Sequence, residues 1–194
     1  MKPCWKRLSS GKYVDLNNLQ AENLDVKDIE TALGGINRFT GHFKDVPPLN
    51  VAEHSMLCLQ MGRIFEPDDL ELHLALLTHD FAEAYIGDVA SPVKQVLGDR
   101  WYNFATPIEE LVELTFYGSY MDPEMHSRVK IYDLASLDIE RRVMWSSQYG
   151  KDKWPACPLN VGTLEDKQNM FEWAARGDHN IEYEWIKLYK EVVG

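Results

Sequence analysis

The chain has 194 residues, enough for one domain with a sizeable core, and its 45% hydrophobic and 26% charged residues are those of an ordinary globular protein. A net charge of −11 disfavours wrapping by a nucleic-acid polymer or an anionic membrane, since the surface field repels both. Cys4, Cys58 and Cys157 are scattered and form no CxxC pair, which argues against a disulfide framework or a cysteine zinc site. With no N-terminal apolar signal region and no apolar run of about 18 residues, a soluble cytoplasmic protein is expected.

Residues 1–25, with GKYVDLNNLQAENLD, read as an extended arm or small hairpin. Asp25 opens a helix in N-cap fashion, followed at helical spacing by Ile29, Leu33 and Ile36. GHFKDVPPLN (41–50) is a loop marked by Pro47-Pro48. The spacing of Val51, Met56, Leu57, Leu59, Met61 and Ile64 predicts a buried helix from Val51 to Phe65. Asp68 and Asp69 cap the next helix, ELHLALLTHDFAEAYI. SPVKQVLG forms a short helix, and Pro107 introduces PIEELVELTFYGSY. A helix from His126 to Trp145 carries Val129, Ile131, Leu134, Leu137, Ile139 and Val143. After the loop YGKDKWPACPLNVGT come two closing helices, EDKQNMFEWAARG and NIEYEWIKLYKEVV. The expected fold is one all-α domain of about six or seven helices, with a core at 25–145 and C-terminal helices in 146–194.

The stretch THDFAEAYIGD (78–88) places four polar groups at the end of the apolar run Leu74-Ala75-Leu76-Leu77. Burial of such groups needs compensation. Successive helix positions differ by about 100° in azimuth, so His79 and Asp80 lean toward one point only at a helix end or bend. Glu83, four residues on, is expected on the face of His79. A nitrogen and a hard oxygen side by side make half a site for a divalent transition metal. His54 in VAEHS and either Asp133 or Asp138 in KIYDLASLDIERR supply the other half. Each alone reads more simply as a core histidine or a solvated carboxylate. Three such motifs set into apolar helices favour a shared cation, because burying each separately is costly.

The blocks INRFTGH, VAEHS, HDFAEAYIGDVASPVK and YDLASLDIERR, over roughly residues 25–145, resemble the HD-domain phosphohydrolases. Within that family they are most similar to small bacterial and phage enzymes acting on deoxynucleotides. The resemblance implies metal ligation by His54, His79, Asp80 and Asp133, the last because the family's aspartate lies seven residues before the Glu-Arg-Arg run. It implies catalytic roles for Glu83 and Asp88 on the attacking water and leaving oxygen. It gives Lys94 and Lys130 to phosphate, Arg38 to sugar and phosphate, and Phe39 to the nucleoside. The cofactor expected is one divalent transition metal (cobalt, manganese, iron or zinc), with additional Mg²⁺ or Mn²⁺ accompanying a triphosphate.

The chemistry suits these residues. Phosphoryl oxygens repel hydroxide, so hydrolysis wants a metal to activate water, carboxylates to orient it and cations to offset phosphate charge. The resemblance favours a dATP or dNTP triphosphohydrolase releasing deoxynucleoside and triphosphate, located in the host cytoplasm if phage-encoded. A 5′-deoxynucleotidase on monophosphates is the alternative, and a nucleotide-binding module without catalysis is an alternative of another class. The partners expected are a small deoxynucleotide and further copies of the chain, since the tail IEYEWIKLYKEVV is rich in large side chains. Without the family spacing, Lys94 and Lys130 read as surface lysines, Glu83 as a partner of Arg38, and Asp88 as a turn residue. His73 and His126 read as surface or cap residues, His42 and His179 as loop residues, and Glu109, Glu110 and Glu113 as a solvated face.

Overall fold

The computed structural model describes residues 2–43, 49–145 and 154–194. Pro47-Pro48 and the first part of the loop after Trp145 lie outside them. The N-terminal arm is a hairpin, β1 (Trp5–Arg7) against β2 (Tyr13–Asp15), antiparallel with Lys6 opposite Val14. Everything else regular among the described residues is helical: α1 (Val26–Gly35), α2 (Val51–Phe65), α3 (Leu70–Thr78), α4 (Glu83–Ile86), α5 (Ser91–Leu97), α6 (Asp99–Phe116), α7 (Pro123–Met144), α8 (Leu164–Ala174) and α9 (Ile181–Val192). The protein is an all-α bundle with a small appended hairpin. No helix among the described residues is long and apolar enough to cross a membrane.

Two helices differ from those expected, and the first difference adds to the count. The run ELHLALLTHDFAEAYI is not one helix. It breaks after Thr78, where Phe81 N donates to Thr78 O at 3.0 Å and Glu83 N to Asp80 O at 2.9 Å. These i→i+3 bonds tighten the chain into a turn. The second difference lies at Pro107, which does not start a helix but sits inside α6. Trp101, Ala105, Ile108, Val112 and Phe116 continue one buried stripe across it, so packing outweighs the lost backbone bond.

Helix α3 is the centre of the bundle, with Leu72 through Thr78 all buried against α2, α7 and α9. Asp69 caps it by accepting from Leu72 N. Helix α2 approaches closely at Gly62, where an added Cβ would stand 2.6 Å from Leu76 Cδ1. Asn50 and Glu53 form a capping box at the start of α2. Helix α7 begins earlier than expected, with Asp122 as cap and Pro123 in its first turn. Its buried face runs through Val129, Tyr132, Ala135, Ser136, Ile139 and Glu140. Ile131, expected in that set, is exposed, as is Ile64 of α2. His73, expected at the surface, is buried with its Nε2 2.9 Å from Glu66 O.

Candidate metal centre

The break between α3 and α4 has a direct chemical consequence. It lets adjacent His79 and Asp80 face the same point, as their azimuths require, and His79 Nε2 lies 3.3 Å from Asp80 Oδ2. From α2, the fully buried His54 brings Nε2 to 3.4 Å from Asp80 Oδ2 and 3.6 Å from Asp133 Oδ1 of α7. The two imidazole centroids are 5.3 Å apart. Residues 54, 79, 80 and 133 therefore meet. Asp138, the alternative to Asp133, is instead held by Arg141, Arg142 and Lys167, away from the histidines.

Hydrogen bonds set the tautomers. His79 Nδ1 lies 2.8 Å from Leu76 O, a carbonyl that can only accept, so the proton sits on Nδ1. Its Nε2 is buried and has no hydrogen-bond partner. His54 Nδ1 is 2.6 Å from Glu140 Oε1, which likewise leaves Nε2 as a lone pair in the neutral ring. In the neutral rings, two Nε2 lone pairs beside two carboxylates are a fitting donor set for a divalent cation. The residues present fit the implied metal.

Without a cation, protons take its place at this point. Burial pulls the His79 ring down in pKa, but Asp80 beside it outweighs this and lifts it to about 9. His54 is raised too, since Cys58 and Glu140 oppose the effects of burial and Arg38. Burial pushes Asp80 and Asp133 up, yet the neighbouring histidines hold both below the ordinary carboxylate value. Glu83 behaves oppositely. Burial, then Asp80 and Asp88, push it up to about 9, and its Oε2 is buried without a partner. Asp88 is raised as well, chiefly by burial. The cation-free centre thus gathers more negative charge than it can leave ionised.

The break changes how Glu83 reaches this region. It lies on no continuous helix with His79 but opens α4, whose positive φ of 81° at Gly87 ends the helix and leads to Asp88. Lys94 on α5 lies with its Nζ 5.4 Å from the Trp101 ring centroid. Lys130 is largely exposed, and its Nζ donates to Asp133 Oδ2. Arg38 is brought beside α2 by pairing of Asn37 with Asn50, Arg38 N donating to Leu49 O. Its guanidinium is largely covered and donates to Glu140 Oε2 from Nε at 3.4 Å and from a terminal nitrogen at 3.3 Å. Glu140, not Glu83, is therefore the structural partner of Arg38. Phe39 packs edge-on against Trp145 and Trp154 at centroid distances of 4.8 and 6.1 Å.

Three residues at the centre were given no part in it by the sequence: Cys58, counted against a cysteine zinc site, Ser136, and Glu140, used only as a landmark for Asp133. Cys58 lies one turn beyond His54, and its Sγ is 3.8 Å from His54 Nε2. One ligand atom each from His54, Cys58 and His79 lies within 4.8 Å of the other two, a group able to hold a metal ion. Ser136 Oγ is 3.2 Å from His54 Nδ1. The available signal was helical spacing: His54 with Cys58 at i, i+4, and Asp133, Ser136 and Glu140 at i, i+3, i+7.

No protein-family model matches the chain. Over 134 residues it is 32% identical to the uncharacterized protein YfdR of Escherichia coli (strain K12), covering 69% of this chain and 68% of that protein. Over 117 residues it is 31% identical to the uncharacterized protein RCAP_rcc00048 of Rhodobacter capsulatus, covering 60% of each.

Proposed function

The chain belongs to the family of Escherichia coli YfdR, and we propose that it is an HD-type metal-dependent hydrolase of deoxynucleoside 5′-phosphates. One observation carries the proposal. His54 and His79 each have Nδ1 engaged, the Nε2 atoms of both face Asp80, and that of His54 faces Asp133 as well. A resident divalent ion such as cobalt, manganese, iron or zinc, when bound, supplies Lewis acidity toward water and phosphoryl oxygen. His54, His79, Asp80 and Asp133 would hold it.

The remaining roles fall to the chain's own side chains. Glu83 holds a proton at neutral pH in the cation-free centre, and its unpartnered Oε2 is suited to exchange one with water or a leaving oxygen. Asp88 acts beside it. Lys94 and the exposed Lys130 meet phosphate oxygens, and Arg38 meets the nucleotide only through the edge that Glu140 leaves open. Phe39, braced by two tryptophans, offers a rigid face to the nucleoside. An apolar face against C2′ would leave a ribose hydroxyl unpaired, which favours deoxyribonucleotides. Further copies of the chain are proposed as partners.

The triphosphohydrolase reading with dATP is the first form of the proposal. The pairing of Lys130 with Asp133 occupies one of the two cations assigned to a longer anionic tail, and this favours the monophosphate reading as the second. Incubation with dAMP, dATP and the other dNTPs across several metals separates them. Release of triphosphate supports the first, and inorganic phosphate from dAMP the second. Tight nucleotide binding without turnover on any metal would refute catalysis.

A further inference from the structure

We infer that Cys58 is an additional ligand of this centre and biases it toward thiophilic ions, zinc and cobalt, over manganese and magnesium. The inference rests on the metal site proposed above. Cys58 is buried on α2, and its Sγ lies 3.8 Å from the ring nitrogen of His54 that Glu140 leaves free. With metal–sulfur and metal–nitrogen bonds of about 2.3 and 2.05 Å, two ligands stand about 3.8 Å apart at the 120° equatorial angle of a five-coordinate centre and about 3.1 Å apart at a right angle. The separation of 3.8 Å matches the equatorial angle.

A second observation points the same way. His79 Nε2 is buried and has no hydrogen-bond partner, although Cys58 and His54 stand next to it. In the neutral ring this nitrogen faces the Asp80 carboxylate at 3.3 Å, the thiol and the His54 nitrogen, an environment that a soft-to-borderline cation completes. On coordination the thiol gives its proton to solvent and binds as thiolate. Thiolate and imidazole together favour zinc and cobalt, whereas manganese and magnesium favour carboxylate and water. The opposing account makes Cys58 a small apolar residue of the buried core. It predicts that metal choice is indifferent to the sulfur.

The test uses the full chain in a Cys4→Ser/Cys157→Ser background, loaded with Co²⁺ and followed by absorption and metal stoichiometry. A thiolate-to-cobalt charge-transfer band at one cobalt per chain is expected. Cobalt bound at that stoichiometry without the band would overturn the inference while leaving the metal site standing. No cobalt or other divalent ion bound would overturn both, and the stoichiometry tells the two cases apart. Cys58→Ser, checked for folding by circular dichroism, should retain cobalt, lose the band and lose roughly 10-fold or more of the zinc-over-manganese preference. An unchanged preference in the folded variant would count against the inference, and the band does not depend on that variant folding.

Discussion

His54 and Glu140 are both fully buried and meet at 2.6 Å, and Glu140 is in turn the acceptor for the largely covered Arg38. The chain Arg38–Glu140–His54 fixes the ring that faces the metal position. Glu140→Ala would strand the Arg38 charge, so a loss of about 3–5 kcal/mol of stability is expected. Glu140→Gln keeps the shape but weakens the pull on Nδ1. Metal affinity should then fall roughly 10–100-fold. Chemical denaturation and metal competition measure the two effects separately, and equal affinity in Glu140→Gln would count against the orienting role.

Glu83 has two expected signatures. Glu83→Gln should retain metal and lose turnover by roughly 10²–10⁴-fold, the scale of a general acid–base group. The pH dependence of stability in metal-free protein is the second. The Glu83 pKa is raised from 4.5 to about 9, so its contribution to folding is full below pH 4.5 and is lost as pH rises toward 9. Glu83→Gln lacks that loss. Melting temperatures of the two metal-free proteins should coincide near pH 4.5 and diverge by pH 9, with the variant higher; parallel curves would refute the burial argument.

Asp133 and Asp138 sit on the same helix and should fail differently. Asp133→Ala should lose metal with a modest effect on the metal-free fold, since its side chain is partly open. Asp138 is buried under Arg141, Arg142 and Lys167, so Asp138→Ala should cost about 3–5 kcal/mol yet leave metal stoichiometry intact in the folded fraction. Metal analysis beside urea melts decides, and the opposite pattern would exchange their roles.

The hairpin is tied to α1 through Asp28, which accepts from Ser9 Oγ, Ser10 N and Ser10 Oγ at 2.5, 2.6 and 2.7 Å. Asp28→Ala should cost about 1–3 kcal/mol by leaving those donors unmet. Burial raises the Asp28 pKa, but the three hydrogen bonds outweigh it and hold it below 3.8. The stabilisation is therefore present above about pH 3.8 and lost as pH falls through the folded value. The stability gap between wild type and Asp28→Ala should narrow in acid, as paired denaturation curves at pH 3 and pH 6 would show.

What the sequence made legible follows physical periodicity. The bounds of α2 and the caps at Asp25 and Asp69 are local and stand where the sequence puts them, although Ile64 of the α2 stripe is exposed. The convergence of His79 with Asp80 was readable because two adjacent side chains can share a target only at a bend. The position of that bend was not, since Phe81, Ala82 and Ala84 are all compatible with helix and tertiary packing decides the matter. Pro107 misled for the same reason: a local breaker was overruled by the stripe from Trp101 to Phe116. Glu140 and Cys58 were given no part in the centre because nothing beside them in the sequence marks one: the first stands next to two arginines and the second between leucines. Their chemistry comes from partners far along the chain.

Those distances along the chain have a temporal meaning. Glu140 lies 86 residues from His54 and 102 from Arg38, so their junction exists only once most of the chain between them has been reeled in. Contacts of such span recover their loop-closure entropy late in folding. The centre is thus a product of the finished bundle rather than a seed for it, and a metal ion arriving early would find separate, mobile ligands instead of a socket.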